Sequence, residues 1–169
     1  GYLRQLSYGI DGRRQIVALL VPGDVVSKKP GAGDDFVLEA STDASICRCD
    51  EAAVRRAMTD HPDLARAVYR VNRDKLEKLR LQTWIRGTLT AEERICAFLA
   101  VATTFLPFRP LPGGGGVLTV SLPRTDIADL VGTSVETISR ITRRLAADGV
   151  IRLRSAKQFE IPDLARLVR

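Results

Sequence analysis

Hydrophobic and polar positions along the chain change period twice. From Tyr2 to Tyr8 and from Arg13 to Val21 apolar residues alternate or cluster in short runs around Asp11-Gly12, a strong short-range hairpin signal. Pro22-Gly23-Asp24 closes the second strand with a turn, and Lys28 to Asp35 is a Gly/Pro loop. Phe36 to Ala40 and Ala44 to Cys49 predict two more strands. From residue 50 the period becomes helical. Asp50 is placed to cap a short helix, and Pro62 opens a long one in the turn where its missing N–H does no harm. That helix is expected to run to about Arg86 and to span roughly 39 Å at 1.5 Å per residue. Ala65, Tyr69, Asn72, Leu76, Leu79 and Thr83 recur at alternating four- and three-residue steps, the spacing of a coiled-coil seam. The stripe predicts a parallel dimer seam of Tyr69, Asn72, Leu76, Leu79 and Thr83, with Asn72 helping to fix register. The alternative is a helix packed on its own domain. A third helix starts at the capping box Thr90-x-x-Glu93.

Residues 107–116 contain four consecutive glycines and read as a flexible linker. Val117 and Leu118 stand where a phosphate-binding loop would need Lys and Ser/Thr, so no nucleotide site is implied. Asp126 to Val131 then forms a short amphipathic helix, and Gly132 suits a left-handed C-terminal cap. Thr133 or Ser134 caps a second helix running to Ala147. Two helices joined by a glycine-containing turn make a helix-turn-helix, whose second helix enters the DNA major groove. Ile138, Ile141 and Leu145 share one face of that helix. Glu136, Ser139, Arg140 and Arg143 share the other. Val150 to Leu153 and Gln158 to Ile161 flank Ser155 to Lys157 as a wing.

The outward face carries base-reading chemistry. Arg140 can donate two hydrogen bonds to guanine, Glu136 can accept from a cytosine amine, and Ser139 offers a hydroxyl to a neighbouring base. Arg143 and Arg144 suit phosphate, as do Arg152, Arg154 and Lys157 on the wing, and Thr133, Ser134 and Thr137 at the helix start are expected to join these backbone contacts. Thr133-x-x-Glu136 is also a capping-box pattern, which leaves Glu136 a purely structural alternative.

Composition narrows the class. Apolar residues make up 45% and charged residues 27%, an ordinary globular balance. No apolar run reaches the ~18 residues of a membrane helix, so no membrane partner is expected. The net charge is +6, from 26 Lys+Arg against 20 Asp+Glu. Between Ser134 and Lys157 six residues are basic and two acidic, which suits a polyanion. Three cysteines point to a reducing, cytoplasmic setting. Cys47 and Cys49, at i and i+2 of an expected strand, share a face. They are either small buried hydrophobes, the favoured reading, or a redox pair. No nucleophile–base pair is apparent, and the one histidine, His61 beside Pro62, reads as a capping or surface residue, so an enzyme is not expected.

The runs Arg124 to Gly132 (RTDIADLVG) and Thr133 to Arg140 (TSVETISR) closely resemble the helix-turn-helix of the CRP/FNR transcription regulators. Thr90 to Ile95 (TAEERI) resembles the start of the helix after their dimerisation helix. Asp11 to Ile16 (DGRRQI) and Leu20 to Asp24 (LVPGD) resemble the end of their β-roll. The resemblance implies an α+β chain. Its parts would be the C-terminal part of a cyclic-nucleotide-binding-like β-roll sensor domain over 1–60, a dimerisation helix over 61–86, and a winged helix-turn-helix DNA-binding domain over 87–169. Further roll strands are expected ahead of Gly1. Val135 precedes the Glu where members similar to the cyclic-AMP receptor carry Arg. The resulting pattern is similar to that of FNR/FixK members, which implies TTGAT-type half-sites in an inverted repeat read by Glu136, Ser139 and Arg140. The partners so implied are double-stranded DNA, a second copy of the chain and RNA polymerase. The signal is unassigned: redox, oxygen, a nitrogen oxide or a small molecule. Asp34 and Asp35 align where cyclic-AMP binders hold the phosphate, and two carboxylates repel it, so cyclic AMP is not expected. Cys47 aligns with a cluster-binding cysteine of the roll, but the thiols present do not complete a Cys₄ set, so neither an iron–sulfur cluster nor haem is supported. A cyclic-nucleotide-responsive regulator of the same fold and a winged-helix protein-interaction module are the alternative readings.

Overall fold

A computed structural model describes residues 1–26 and 36–167. The loop carrying Asp34 and Asp35 lies outside them. The first lobe is a three-stranded antiparallel sheet in the order β2-β1-β3, from β1 (Leu3–Tyr8), β2 (Arg14–Leu20) and β3 (Phe36–Ala40). Gly12, at φ 74°, turns the β1–β2 hairpin as the Asp11-Gly12 signal predicts. Leu6, Ile16 and Leu20 are its buried residues. The predicted strand over Ala44 to Cys49 does not form. Ser41 N–H donates to Tyr2 O, and Tyr2 N–H to Thr42 Oγ1 (both 2.9 Å). These bonds end the ladder, and no strand among the described residues continues it. Cys47 and Cys49 are therefore exposed, not buried hydrophobes; only Cys96 is buried.

Asp50 caps α1 (Glu51–Asp60) by accepting from Ala53 N–H. His61 joins α1 to α2 with no side-chain cap bond and is exposed. The long helix α2 (Pro62–Thr88) has 27 residues, about 40 Å, and not one of them is buried. Lys75 Nζ reaches Val25 O (3.5 Å) and Lys78 pairs with Asp24 (3.7 Å), so one side of α2 faces the sheet.

The capping box at Thr90 opens α3 (Ala91–Ala102). The segment expected to be a flexible linker is instead a hairpin of β4 (Phe108–Pro110) and β5 (Gly116–Thr119). Two of its glycines serve packing. Gly115 has φ 66°, and a Cβ there would lie 2.0 Å from Ile161 O; one at Gly116 would overlap the Phe108 ring. After α4 (Arg124–Val131) and α5 (Val135–Ala147), β6 (Arg152–Leu153) and β7 (Gln158–Ile161) complete a four-stranded sheet in the order β4-β5-β7-β6. A short 3-10 turn, Leu164–Leu167, follows. The main core lies in this second lobe, where Ile95, Leu99, Leu118, Ile138, Ile151 and Phe159 pack together.

Candidate nucleic-acid interface

Gly132 ends α4 at φ 72°, ψ 51°, which only glycine adopts freely. Its N–H and that of Thr133 both donate to Ala128 O (2.8 and 2.9 Å), closing the turn. Ser134, not Thr133, caps α5, with Oγ accepting from Thr137 N–H at 3.2 Å. The Thr133–Glu136 capping box is therefore not used. Ala128 and Val131 are buried, as are Ile138, Ile141 and Leu145, and α4 packs on α5. Thr142 is buried too, its hydroxyl satisfied by Ile138 O at 2.9 Å.

The opposite face of α5 is open. Glu136, Arg140 and Arg143 are exposed and Ser139 is half-buried. Among the described residues, Arg140 and Arg143 have no intramolecular hydrogen bond or ion pair. Its own backbone N–H, then the Ser134 side chain, hold the Glu136 carboxyl below its ordinary value. It therefore stays an anionic acceptor at neutral pH.

The other predicted phosphate contacts divide. Ser134 is exposed, and Thr133 and Thr137 are half-buried beside it. Arg144 pairs with Glu92 on α3. Arg152 and Arg154 both pair with Glu160, at 2.8 and 2.6 Å. The two guanidinium groups, Arg154 first, hold the Glu160 carboxyl below the usual range. Lys157, at the wing tip, is exposed, and its ammonium has no partner among the described residues. Sequence reasoning missed these internal partners. It also missed Arg124, whose guanidinium lies 5.1 Å from the centre of the Phe159 ring and donates to Ala156 O at 3.1 Å, fastening α4 to the wing. Arg94 was missed as well; it donates to Leu89 O and Gly132 O (3.0 and 3.1 Å), joining the end of α2 to the helix-turn-helix turn.

The expected seam faces away from the chain's own sheet. Tyr69, Leu76 and Leu79 are 69%, 49% and 45% exposed, and Asn72 and Thr83 are exposed beside them. The three thiols do not converge, since Cys96 sits in the second-lobe core and the other two on the exposed segment before α1. No group of three or more Cys, His, Asp or Glu able to hold a metal occurs among the described residues.

A capped helix with one buried and one open face, backed by a second helix and flanked by a β-wing, defines a winged helix-turn-helix protein. Residues 93–169 match the Crp-like helix-turn-helix domain. The transcriptional activator protein FnrL of Cereibacter sphaeroides is 31% identical over 160 residues, covering 94% of this chain and 64% of FnrL. The nitrogen fixation regulation protein FixK of Bradyrhizobium diazoefficiens is 29% identical over 151 residues, covering 89% of this chain and 63% of FixK. The chain thus spans just under two thirds of the length of these relatives. The solved structure of FixK2 from Bradyrhizobium japonicum superposes with a TM-score of 0.84 at 28% identity, covering 99% of this chain and 81% of FixK2. The chain thus carries a Crp-like helix-turn-helix domain and shares the α+β fold of the FixK2 structure, a cyclic-nucleotide-binding-like sheet followed by a helix-turn-helix. None of its helices, among the described residues, is long and apolar enough to cross a membrane.

Proposed function

We propose that this chain is a DNA-binding transcription regulator of FNR/FixK type. It acts as a homodimer joined along α2 and reads TTGAT-type half-sites in an inverted repeat. The observation that carries this reading is the open face of α5, where Glu136, Ser139 and Arg140 stand side by side and the Arg140 guanidinium has no partner among the described residues. Arg140 donates to guanine O6 and N7, Glu136 accepts from a cytosine amine, and Ser139 contacts the base between. Arg143 and the start of α5, with Thr133, Ser134 and Thr137, meet phosphates. Arg144, Arg152 and Lys157 add positive potential at the margins, the first two tempered by Glu92 and Glu160. Residues 1–60 belong to a cyclic-nucleotide-binding-like β-roll sensor domain, 61–86 to the dimerisation helix, and 87–169 to the winged helix-turn-helix DNA-binding domain. The seam on α2 supplies the symmetry that an inverted repeat requires, since a two-fold dimer presents the same helix to both half-sites. FnrL and FixK are named as regulators, which agrees with this assignment. Contact with RNA polymerase and a cytoplasmic location follow from it.

The test is selection of bound duplexes from a random pool, using the full-length protein. The expected product is an inverted repeat with half-sites centred about 10 bp apart, one helical turn. Arg140→Ala should then lose about 1–3 kcal/mol of discrimination at the guanine step. An unchanged footprint and base preference in that variant would overturn the reading.

A further inference from the structure

Where the two lobes meet, two arginines from a distant part of the chain converge on one buried carboxylate. Asp126, in the first turn of α4, is 1% exposed. One of its carboxylate oxygens accepts from Arg4 on β1 and the other from Arg14 on β2, the latter at 3.0 Å. Arg14 also lies 3.7 Å from Asp129, one turn further along α4. Arg4 is shared with Glu39 on β3 at 2.8 Å. The sheet thus grips α4 through both oxygens of a single buried carboxylate. Close by, Tyr2 Oη donates to Phe105 O at 2.9 Å, a second polar tie across the same junction.

A carboxylate removed from water is tolerated only when its charge is met and its lone pairs are used. Asp126 meets that condition only while the sheet is docked, because both of its guanidinium partners come from β1 and β2. Undocking would break both ion pairs at once. The cluster therefore favours one relative placement of the lobes and penalises others, whereas an apolar contact would slide. α4 is the helix that backs α5 through Ala128 and Val131, so whatever fixes α4 fixes the tilt of the reading helix.

The geometry points to Arg4 and Arg14 as positioning residues of the DNA-reading head: through Asp126 and Asp129 they lock α4, and with it α5, to the sensor sheet, and so set the spacing between half-sites that the dimer accepts. The inference rests on the DNA-binding reading above and extends it to residues outside the helix-turn-helix. It also gives the sensor a mechanical route to the reading head, because a shift of β1 against β2 pulls the two arginines apart and leaves Asp126 with one partner.

The test uses the full-length protein and the variants Asp126→Asn, Arg14→Gln and their combination. Binding is measured to duplexes whose half-site separation is stepped by single base pairs. The wild type should favour one separation sharply. Asp126→Asn should lose about 2- to 30-fold in affinity there, the range for residues that modulate coupling without touching ligand. Its preference should also flatten across neighbouring separations, which a general loss of stability would not cause. The double variant should lose less than the two single losses combined, because the two changes share the Arg14–Asp126 interaction. Hydrogen exchange without DNA supplies an independent arm. Amides of β1, β2 and α4 should exchange faster together in Asp126→Asn, while those of Ile138 to Leu145 stay protected. If that variant does not fold, Arg14→Gln, at a side chain one third exposed, carries both arms. Unchanged exchange together with an unchanged separation profile would overturn the inference. A wild type that binds no DNA while the exchange arm responds would instead count against the DNA reading and leave the lock standing.

Discussion

Arg143 and Arg144 are adjacent in sequence, both exposed and both basic, yet the structure assigns them different electrostatic work. Arg143 has no partner among the described residues, whereas Arg144 is paired with Glu92. Each phosphate neutralised by a free cation contributes about 0.9 to the slope of log affinity against log salt. Arg143→Gln in a dimer removes one such contact from each protomer, so the slope should fall by about 1.8. Between about 50 and about 200 mM salt, a fourfold change, that is roughly a twelvefold difference in how much affinity is lost. Arg144→Gln should change the slope by well under half as much, because Glu92 already supplies a counter-charge and binding releases fewer ions. Fluorescence anisotropy titrations at four or five salt concentrations measure both slopes. Base preference should stay the same in both variants, since phosphate contacts carry no sequence information. Equal slopes for the two variants, or a slope for Arg143→Gln matching the wild type, would refute the reasoning from unpaired charge.

Three other outcomes follow from the same coordinates. Leu76→Asp or Leu79→Asp should convert the dimer to monomer in sedimentation equilibrium, each removing about 1.5–3 kcal/mol of apolar burial per protomer; a wild type that sediments as monomer would refute the seam. Ile138→Ala, at a side chain 1% exposed, should lower unfolding stability by about 2–5 kcal/mol in denaturant titration, while Ser139→Ala one residue on should leave it within about 0.5 kcal/mol. The Glu136 carboxyl is held below its ordinary 4.5, so its support of α5 is complete above the unfolded-state value and is lost as pH falls through the lower folded-state one. Cytosine discrimination should therefore be flat from pH 8 to pH 5 in binding assays; a decline starting near pH 6 would contradict that.

Local signals carried the elements whose chemistry is local. The Asp11-Gly12 turn, the caps at Asp50 and Thr90, the Gly132 stop and the two faces of α5 all depend on residues within one or two turns of each other, and all are where periodicity put them. The errors arose where a distant partner decides. Ala44 to Cys49 has a strand-like composition but no neighbour to pair with. Residues 107–116 have a linker-like composition, yet Gly115 is small because the backbone at Ile161 passes against it. The candidate site shows the same division. Glu136, Ser139 and Arg140 were legible from helical spacing alone. The partners that restrain Arg144, Arg152 and Arg154 lie on other elements, and nothing near Asp126 announces that Arg4 and Arg14, 122 and 112 residues away, will close over it.

On α5 the residues that hold the helix in place and those that face outward form two sets with no member in common. Ile138, Ile141, Thr142 and Leu145 anchor it, and the hydroxyl of Thr142 is already satisfied by the helix's own carbonyl. Positions 136, 139, 140 and 143 lie outside that buried set, and of them Glu136 adds local support at the start of α5. Under the proposed DNA-reading role, base preference is thereby free to diverge among descendants of such a chain by single substitutions that leave the core untouched, so new target repertoires are reachable without passing through unstable intermediates.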